Sequence, residues 1–487
     1  MLSLLYLDNI ENDRPAVEHL DDLMLGKILS SITPNVRIQE AAKEIIARPL
    51  SDMSRIEYRR EILRDFTKNR VPLEKLRELF GGFGEIHNDY KNKKSSLFRI
   101  FNGQADYPSI LIHSADAVKR LVDLIYSLND AFRDCHPESS GLNKIKSRLN
   151  ELAEASEMRK LCGLAEQFKS YYPNESVIEA DFCIDSGGKI SGLNMISESK
   201  YLPEQKSGKK RGFSLFGKSD TNESPNGIRV GLTSEDRGGI ISKTAKEITE
   251  AFEYIITSVC GEFSGIYYDL AFYVFAVKYC EAMVRAGTPV CFAELSDSTE
   301  ITGLYDVYLL LTLPNPSAVV QNDFLLSYKT KGIIITGDNS AGKTVYLRAV
   351  SMAYILTAAG LPISAESAKI SLPKDISLQM ASAERAYQSG NITGRFEEEV
   401  IDIKKIVDSV QTDSIILLNE VFQTTDYSEG AEGLYYILEY LNKKGARWIL
   451  VTHLKQLTTM YKNDLSVVKL RAGSGERYKV CRDGDNG

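Results

Sequence analysis

Apolar residues recur at three- and four-residue spacing through the first third of the chain, where runs of β-branched residues are few. The stretches from Ile56 to Phe66 and from Leu142 to Phe168 show this pattern. Such spacing puts the apolar side chains on one face of a helix. The pattern therefore predicts a helical region from residue 1 to about residue 175.

Alternating apolar and polar residues replace the helical pattern between residues 176 and 239. The pieces VIEADFCI and GIRVGL read as short strands, and Asp185 to Gly188 reads as a turn between two strands. Residues 204–227 are rich in glycine, serine and charge, and they bury too little apolar area to order themselves. We predict a small β insertion over 176–239 that carries a flexible basic loop over 204–227.

Helical spacing returns after the insertion. One apolar stripe consists of Ile241, Ala245, Ile248, Phe252, Ile255 and Val259. A second helix is predicted to follow, ending near Ala286. It contains the most apolar stretch of the chain, Phe263 to Val277, which carries Asp269 and is shorter than the ~20 residues that a membrane-spanning helix needs. We therefore predict a buried helix there, and no membrane partner.

After Pro289, predicted strands alternate with segments of helical apolar spacing. The predicted strands are PVCFAEL, KGIIITG, SIILL and RWILVTH. Alternation of this kind predicts a mainly parallel sheet with helices on both faces. The predicted fold class is α + α/β. A helical region over 1–288 carries the β insertion, and an α/β domain follows over 289–487.

Composition narrows the class of protein. A chain of 487 residues suggests two to four domains at roughly 100 to 200 residues each. The net charge of -7 gives no global positive field, so contact with nucleic acid would need a local patch. Seven cysteines without a C-x-x-C pair, and no secretory signal, argue against a disulfide framework or a zinc ribbon. A cytoplasmic protein is expected.

The segment GDNSAGKT matches G-x-x-x-x-G-K-[ST] between a β run and a helical stretch, which is the context that this phosphate-binding loop requires. Its glycines let backbone N–H groups turn towards phosphates, its lysine supplies a cation, and its threonine offers a hydroxyl to magnesium. We predict that the loop binds ATP with Mg²⁺. The predicted binding residues are Gly337, Asp338, Asn339, Ser340, Ala341, Gly342, Lys343 and Thr344.

Two further side chains follow predicted strands. Glu420 ends the run SIILLN, where a carboxylate can orient or deprotonate the attacking water. His453 follows the run that begins at Trp448, where open α/β sheets bind ligands and where it could sense the γ-phosphate. Both are predicted catalytic residues. The alternatives are that Glu420 only ends a strand and that His453 is structural.

A glycine-rich stretch, GNITGRF, precedes a predicted helix with the apolar stripe Phe396, Val400, Ile403 and Val407. Glutamates 397 to 399 occupy the first turn, where they suit the positive end of the helix dipole. Free N–H groups there could receive a phosphate held by another subunit. A surface helix that begins at a glycine is the alternative.

In order, these motifs resemble the ATPase domain of the DNA mismatch-repair MutS family, which belongs to the ABC-type ATPases. The resemblance covers about Pro289 to Leu457. Its further landmarks are the lead-in LPNPSAVVQND, the pattern GLPISAESAKI after the P-loop helix, the signature segment MASAERAYQSGNITGRFEEEV and the histidine motif VTHLKQL.

The resemblance implies a homodimer with ATP between Lys343 and Thr344 of one chain and Thr393 and Gly394 of its partner. It also implies that Asn322 of the lead-in contacts the nucleotide. The helical half is similar in order to the family's core and lever helices, interrupted by a DNA-gripping clamp, so DNA is the implied partner.

This sequence departs from the family pattern at several positions. Asn419 stands where the family has an aspartate that helps to hold magnesium, partly through water. An amide oxygen brings no negative charge, so we expect weaker Mg²⁺ binding and slow turnover. The segment FQTTDYSEG replaces a loop that usually contains glycine and arginine. Gly394 replaces the serine of the signature, and Val319 stands where an aromatic residue would stack on adenine.

For DNA, the sequence offers a local basic patch rather than a mismatch reader. The aromatic-x-glutamate pattern of the family's mismatch wedge occurs at Phe83 to Glu85. This short match lies within a predicted helical segment rather than in a mismatch-reading domain, so mismatch recognition is not predicted. Phe213 and Phe216 are possible stacking groups within the basic loop. The candidate DNA contacts are Lys206, Lys209, Lys210, Arg211 and Lys218, with a weaker patch at Lys91, Lys93 and Lys94. The alternative is a solvated loop without a ligand.

The sequence thus predicts a MutS-like, ATP-binding and ATP-hydrolysing dimer without the N-terminal mismatch-reading domain, in which ATP gates binding to a DNA structure. It ends at Gly487, where the family commonly continues into a helical dimerisation segment. The alternative is a regulatory ATP switch or scaffold that binds a protein partner, with weak or lost hydrolysis and no nucleic acid.

Overall fold

The computed structural model describes residues 2–7, 16–100, 106–169, 176–184, 190–200, 234–380, 395–422, 427–473 and 476–483. The chain folds into two compact units. The first comprises Met1–Phe80, Asp130–Arg148 and Phe263–Gly487, and the second comprises Gly81–Asn129 and Leu149–Glu262. The domain boundary expected between residues 288 and 289 stays a prediction.

Helices fill the first third of the chain, as the apolar spacing predicts. Asn35 caps one of them by accepting the N–H groups of Arg37 and Ile38, and Asp52 caps the next by accepting the N–H of Arg55. The helices are α1 Leu25–Ile32, α2 Val36–Ala47, α3 Met53–Thr67, α4 Leu73–Ile100, α5 Tyr107–Phe132, α6 Ser140–Glu154 and α7 Ser156–Lys169.

The predicted β insertion contains an antiparallel pair of strands, β1 Ser176–Ile184 and β2 Ile190–Lys200. The two strands predicted on either side of the turn are confirmed, whereas the predicted turn at 185–188 lies outside the described residues. The piece GIRVGL and the basic loop over 204–227 lie outside the described residues.

The long apolar region after the insertion forms one helix, α8 Ser234–Arg285, so the prediction of two helices is wrong. Gly261 and Gly265 lie within it, and glycine costs a helix interior only about 1 kcal/mol, which tertiary burial of its neighbours readily outweighs. Phe263, Leu270 and Phe272 are almost completely buried. The expected buried helix over Phe263 to Val277 is therefore confirmed.

A six-stranded sheet forms the core of the α/β part, in the order β12-β11-β6-β10-β9-β8. Every neighbouring pair is parallel except β11 with β12, which confirms the mainly parallel sheet. Its central strands are apolar and buried along most of their length, as strands covered on both faces must be. The strands are β6 Gly332–Gly337, β8 Ile376–Met380, β9 Ile415–Asn419, β10 Arg447–Val451, β11 Val467–Ala472 and β12 Val480–Arg482.

A second sheet of four strands has the order β3-β7-β4-β5. The run PVCFAEL was expected to be a strand, but only its last two residues pair in this sheet, and Cys291 forms an isolated bridge with Ile363. Apart from Ala293, the apolar residues of the run are only partly buried. Most of the run can therefore remain outside the sheet, without pairing to another strand. The strands are β3 Glu294–Leu295, β4 Thr299–Leu304, β5 Asn322–Leu326 and β7 Ser367–Ile370.

Within the described ranges, five helices complete the α/β part, and α10 is the most buried of them. It contacts α2 and α3 as well as strands β6, β9 and β10. The helices are α9 Val307–Thr312, α10 Lys343–Ala359, α11 Arg395–Ser409, α12 Tyr427–Lys443 and α13 Lys455–Met460. Among the residues that the structure describes, no helix is long and apolar enough to span a bilayer.

The predicted stripe of α11 needs one correction. Val400 is 40% exposed, whereas Ile403 is buried and Val407 is partly buried. The buried face instead follows Glu399, Ile403 and Ile406, and the buried Val410 comes directly after the end of the helix. A glutamate thus occupies a position of α11 that faces the core.

Candidate nucleotide-binding site

The phosphate-binding loop joins the carboxyl end of β6 to the start of α10. Gly337, Ser340 and Gly342 have positive φ angles of 144°, 64° and 93°, and the Ala341 N–H donates to the Asp338 carbonyl at 3.2 Å. A Cβ atom on Gly337 would lie 2.6 Å from the Ala472 carbonyl oxygen. The first glycine of the motif is therefore required by both the backbone conformation and the space available.

Lys343 is buried at the first position of α10 with 4% of its surface exposed. Its Nζ donates to the carbonyl oxygens of Gly337 and Asp338, at 3.1 and 3.0 Å. Burial lowers the pKa of this ammonium, while the nearby carboxylates of Glu420 and Asp338 act in the opposite direction. A charged donor in this position suits phosphate oxygens, which would compete with the two carbonyls for its protons.

Thr344 and Asn419 face each other across the site. The Thr344 hydroxyl donates to Asn419 Oδ1 at 3.2 Å, and Asn419 is almost fully buried at the end of β9. Magnesium prefers oxygen ligands and usually combines one or two protein oxygens with phosphates and water. The two side-chain oxygens fit that pattern, although the amide contributes no negative charge.

No group of three or more His, Cys, Asp or Glu side chains in the described part of the chain could hold a metal. The structure therefore offers no cage built from protein ligands there.

Glu420 and His453 form a pair at the carboxyl ends of β9 and β10. His453 Nε2 lies 3.1 Å from Glu420 Oε1, and the two side chains are partly exposed, at 31% for His453 and 26% for Glu420. The Glu420 backbone has a φ of 56°, and its N–H donates to the Val451 carbonyl at 2.8 Å. Because β6, β10 and β9 are neighbours, their ends bring the loop, the histidine and the glutamate to one edge of the sheet.

These residues line a cavity of about 850 Å³. Loop residues 339–344, Glu420 and His453 line it, and so do apolar side chains: Leu304, Leu309, Leu313 and Val319. The volume is within the ordinary range of ligand sites, which combine apolar walls with a few polar groups. Val319 thus lines the cavity wall, at the position where the family pattern has a stacking aromatic.

Asn322 lines the same cavity, but both ends of its amide are engaged. Its Nδ2 donates to the Tyr478 carbonyl at 3.1 Å, and its Oδ1 accepts the Val480 N–H at 2.8 Å. It therefore holds the turn before β12 against β5. Direct contact between Asn322 and a nucleotide stays a prediction.

Tyr478 is a lining residue that the motifs did not indicate. Its ring lies against the loop, since a Cβ on Gly342 would be 3.4 Å from its Cδ1 atom, and its φ is 68°. Tyr427 also lines the cavity. Neither tyrosine belongs to a motif with a fixed spacing from the loop, so no sequence signal pointed to them.

A buried ion pair behind the loop was also missed. Arg348 of α10 binds Asp306 through Nε and Nη2, at 2.7 and 2.9 Å. Asp306 also caps α9 by accepting the Leu309 N–H at 2.8 Å. The pair thereby fixes α9, whose Leu309 lines the cavity, to the helix that follows the loop.

Several predicted residues cannot be placed. Thr393 and Gly394 precede α11, and Lys206, Lys209, Lys210, Arg211 and Lys218 belong to the basic loop; all lie outside the described residues. Phe83, by contrast, is fully buried inside α4. It is therefore inaccessible as a DNA wedge, in agreement with the expectation that the Phe83 to Glu85 match is accidental.

The G-x-x-x-x-G-K-T loop lies between a buried parallel strand and a helix, and an acid stands at the end of a nearby strand. This arrangement places the domain in the P-loop class. Residues 333–479 match the family model described as MutS domain V. This part of the chain is therefore similar to MutS domain V, in agreement with the resemblance that its motifs predict.

Three curated relatives carry the name Endonuclease MutS2. The protein of Clostridium novyi (strain NT) is 33% identical over 146 residues, that of Acetivibrio thermocellus 34% over 146 residues, and that of Streptococcus mutans serotype c 31% over 151 residues. Each match covers 30% of this chain, but only 18%, 18% and 19% of the respective relative. The chain thus spans less than a fifth of the length of these relatives.

Proposed function

We propose that this chain is an ATPase with slow turnover, which binds ATP and Mg²⁺ at the loop over Gly337 to Thr344. The observation that carries the proposal is the convergence of Lys343, Thr344, Glu420 and His453 on one cavity at the carboxyl edge of a parallel sheet. The match of residues 333–479 to MutS domain V supports it, since that domain is the ATPase domain of the MutS family.

The binding half of the site consists of the loop backbone, Lys343 and Thr344. Phosphate oxygens would accept N–H groups at the start of α10, whose dipole favours negative charge. Lys343 would turn its ammonium from the two loop carbonyls to the β- and γ-phosphates. Magnesium, held by the Thr344 hydroxyl and indirectly by Asn419, would neutralise phosphate charge when bound.

The catalytic half of the site is the pair Glu420 and His453. Glu420 would accept a proton from the water that attacks the γ-phosphate, since a carboxylate at this point can orient and deprotonate the nucleophile. With its Nε2 protonated, His453 donates to Glu420 Oε1 across the observed 3.1 Å and fixes the carboxylate's direction. A bound γ-phosphate could accept a hydrogen bond from the same Nε2 proton, so that His453 would respond to the presence of the γ-phosphate.

Steady-state ATP hydrolysis tests the catalytic half. Glu420→Ala should lower kcat by about a hundredfold or more, because a general base contributes on the order of 10²–10⁴ in rate. Its affinity for a labelled ATP analogue should stay close to that of the unmodified protein. Glu432→Ala, which alters an exposed glutamate on α12, is the matched control. Equal rates for the unmodified protein and Glu420→Ala would refute hydrolysis.

A second candidate function is an ATP switch or scaffold with weak or lost hydrolysis that binds a protein partner. Asn419 favours it, because an amide beside Thr344 replaces a charge with a neutral oxygen. For such a switch, the labelled analogue binds at the loop, but hydrolysis stays at the level of Glu420→Ala. Binding and turnover measured on the same preparation therefore separate the two candidates.

We also propose that ATP gates binding to a DNA structure and that the active form is a homodimer with Thr393 and Gly394 of each chain facing the partner's nucleotide. Support comes from the match of residues 333–479 to MutS domain V and from the name Endonuclease MutS2 that the relatives carry. A cytoplasmic location belongs to the same proposal.

Titration with a labelled ATP analogue, with and without DNA, tests the gating, because coupling between two ligands must be reciprocal. Branched, single-stranded and duplex DNA should be compared at rising salt, where phosphate contacts weaken. Replacing residues 206–218 with a neutral linker should weaken binding if that loop grips DNA. No binding to any DNA at low salt would favour the switch with a protein partner.

A further inference from the structure

The turn that carries Glu420 has an unusual backbone. Glu420 and Phe422 both adopt the left-handed region, with φ angles of 56° and 60°. Residues other than glycine rarely occupy this region, and they remain there only where the surroundings enforce it. The Glu420 N–H bond to the Val451 carbonyl fixes one end of the turn.

Glu399 fixes the other end. Its Oε2 accepts the Phe422 N–H at 2.9 Å, and Glu399 and Phe422 are only 6% and 7% exposed. Glu399 belongs to α11, so the bond joins the turn after β9 to a different element of the fold. A carboxylate that accepts a backbone N–H in a buried place makes a strong, directed contact.

Apolar packing reinforces this bond. Ile403 and Ile406 of α11 belong to the same buried cluster as Val421 and Phe422 of the turn. Glu399 occupies a position on the same buried face of α11, where an apolar residue would pack without a desolvation cost. The choice of a carboxylate at this position therefore needs a reason other than burial.

We propose that Glu399 is a positioning residue for hydrolysis, which holds Glu420 in place by anchoring the Phe422 N–H. The proposal rests on the proposed function, in which Glu420 is the base. Glu399 does not line the cavity, so it acts through the turn rather than on the nucleotide. The bond also links the turn that carries Glu420 to α11, so a displacement of this helix would move the Glu420 carboxylate.

Three variants test the proposal by kinetics. Glu399→Ala removes the acceptor and should lower kcat by about ten- to a hundredfold, the loss expected when a catalytic group is displaced by ~1 Å. The affinity for ATP should change less than about twofold. Glu399→Gln keeps an oxygen that can accept the same N–H, so it should recover most of the lost rate. Glu397→Ala alters an exposed glutamate of the same helix turn and should behave as the unmodified protein.

Amide hydrogen exchange gives a readout that does not depend on activity. Peptides covering residues 420–422 should exchange faster in Glu399→Ala than in Glu397→Ala, while peptides from β6 stay unchanged. Equal exchange in both variants, or equal kcat with normal melting, would overturn the role of Glu399. Loss of ATP binding and rate together would overturn it too, because that outcome shows a merely structural role. If the unmodified protein hydrolyses ATP no faster than Glu420→Ala, the proposed function fails, and exchange still decides whether the anchor exists.

Discussion

Asp269, inside α8, holds a short N-terminal segment in the core of the first unit. Its Oδ2 accepts the Ser3 hydroxyl at 2.8 Å and the Leu4 N–H at 2.7 Å, and only 8% of the residue is exposed. Burial raises the pKa of Asp269 from its ordinary value of 3.8 to about 6, against the opposing effects of these hydrogen bonds and of Arg59. The neutral form of Asp269 in the folded protein therefore persists up to about pH 6, well above the pH at which an ordinary aspartate ionises.

The sign of the resulting pH dependence follows from linkage. Because the folded-state pKa exceeds the unfolded one, the stabilising contribution is full below pH 3.8 and is lost as the pH rises through about 6. The displacement from 3.8 to about 6 corresponds to about 3 kcal/mol. Asp269→Asn does not titrate, so its stability relative to the unmodified protein should rise by about 2 kcal/mol between about pH 4 and pH 7.

Denaturant unfolding at several pH values measures this difference. Trp448, the single tryptophan, is fully buried in the same unit and reports its unfolding by fluorescence. Asp297→Asn removes one exposed carboxylate from that unit and serves as the control for net charge. A stability difference between Asp269→Asn and the unmodified protein that stays constant over this pH range would refute the reasoning.

Three further outcomes follow from the structure. Asn419→Asp should lower the magnesium concentration that supports half-maximal ATP hydrolysis, because it places a charge beside Thr344; an unchanged magnesium dependence would contradict this. Asp65 accepts the N–H groups of Glu138 and Ser139. Burial acts to raise its pKa, but these donors and Arg70 hold the pKa below its ordinary value, so its stabilising contribution is present above pH 3.8 and is lost in acid. Asp65→Asn should therefore cost about 2 kcal/mol near pH 7 and less near pH 3, as measured by denaturant unfolding. Gly332→Ala would place a Cβ 2.2 Å from the Trp448 ring, so it should destabilise the sheet by about 3 kcal/mol in the same assay.

The sequence predicts those parts of the fold in which local pattern and tertiary burial agree. The central strands β6, β9 and β10 are continuous apolar runs, and the loop motif follows the first of them, so both could be placed from the sequence. Helix α8 could not, because the glycines within it suggest a break that burial overrides. The exposed Val400 shows the same limit, since tertiary packing decides which face of an amphipathic helix is covered.

The candidate site divides in the same way. Lys343, Glu420 and His453 carry local signals, either a motif or a position after a strand. Tyr478 and the Asp306–Arg348 pair do not, because Tyr478 lies against Gly342, and Asp306 binds Arg348, across long separations in sequence. Glu399 could be predicted only as a residue that suits a helix N-terminus; its bond to Phe422 depends on how α11 packs on the sheet.

In the proposed function, neighbouring residues at the end of β9 separate nucleotide binding from hydrolysis. Asn419 faces Thr344 of the binding loop, whereas Glu420 turns into the left-handed region and faces His453. A neutral Asn419 would weaken the field for the proposed magnesium ion, whereas the conformation of Glu420 depends on the bond to Val451 and on the bond between Phe422 and Glu399. Binding can therefore weaken without displacing the base, and the base can be displaced without opening the binding loop. Variants at 419 should accordingly act on magnesium dependence, and variants at 399 on kcat.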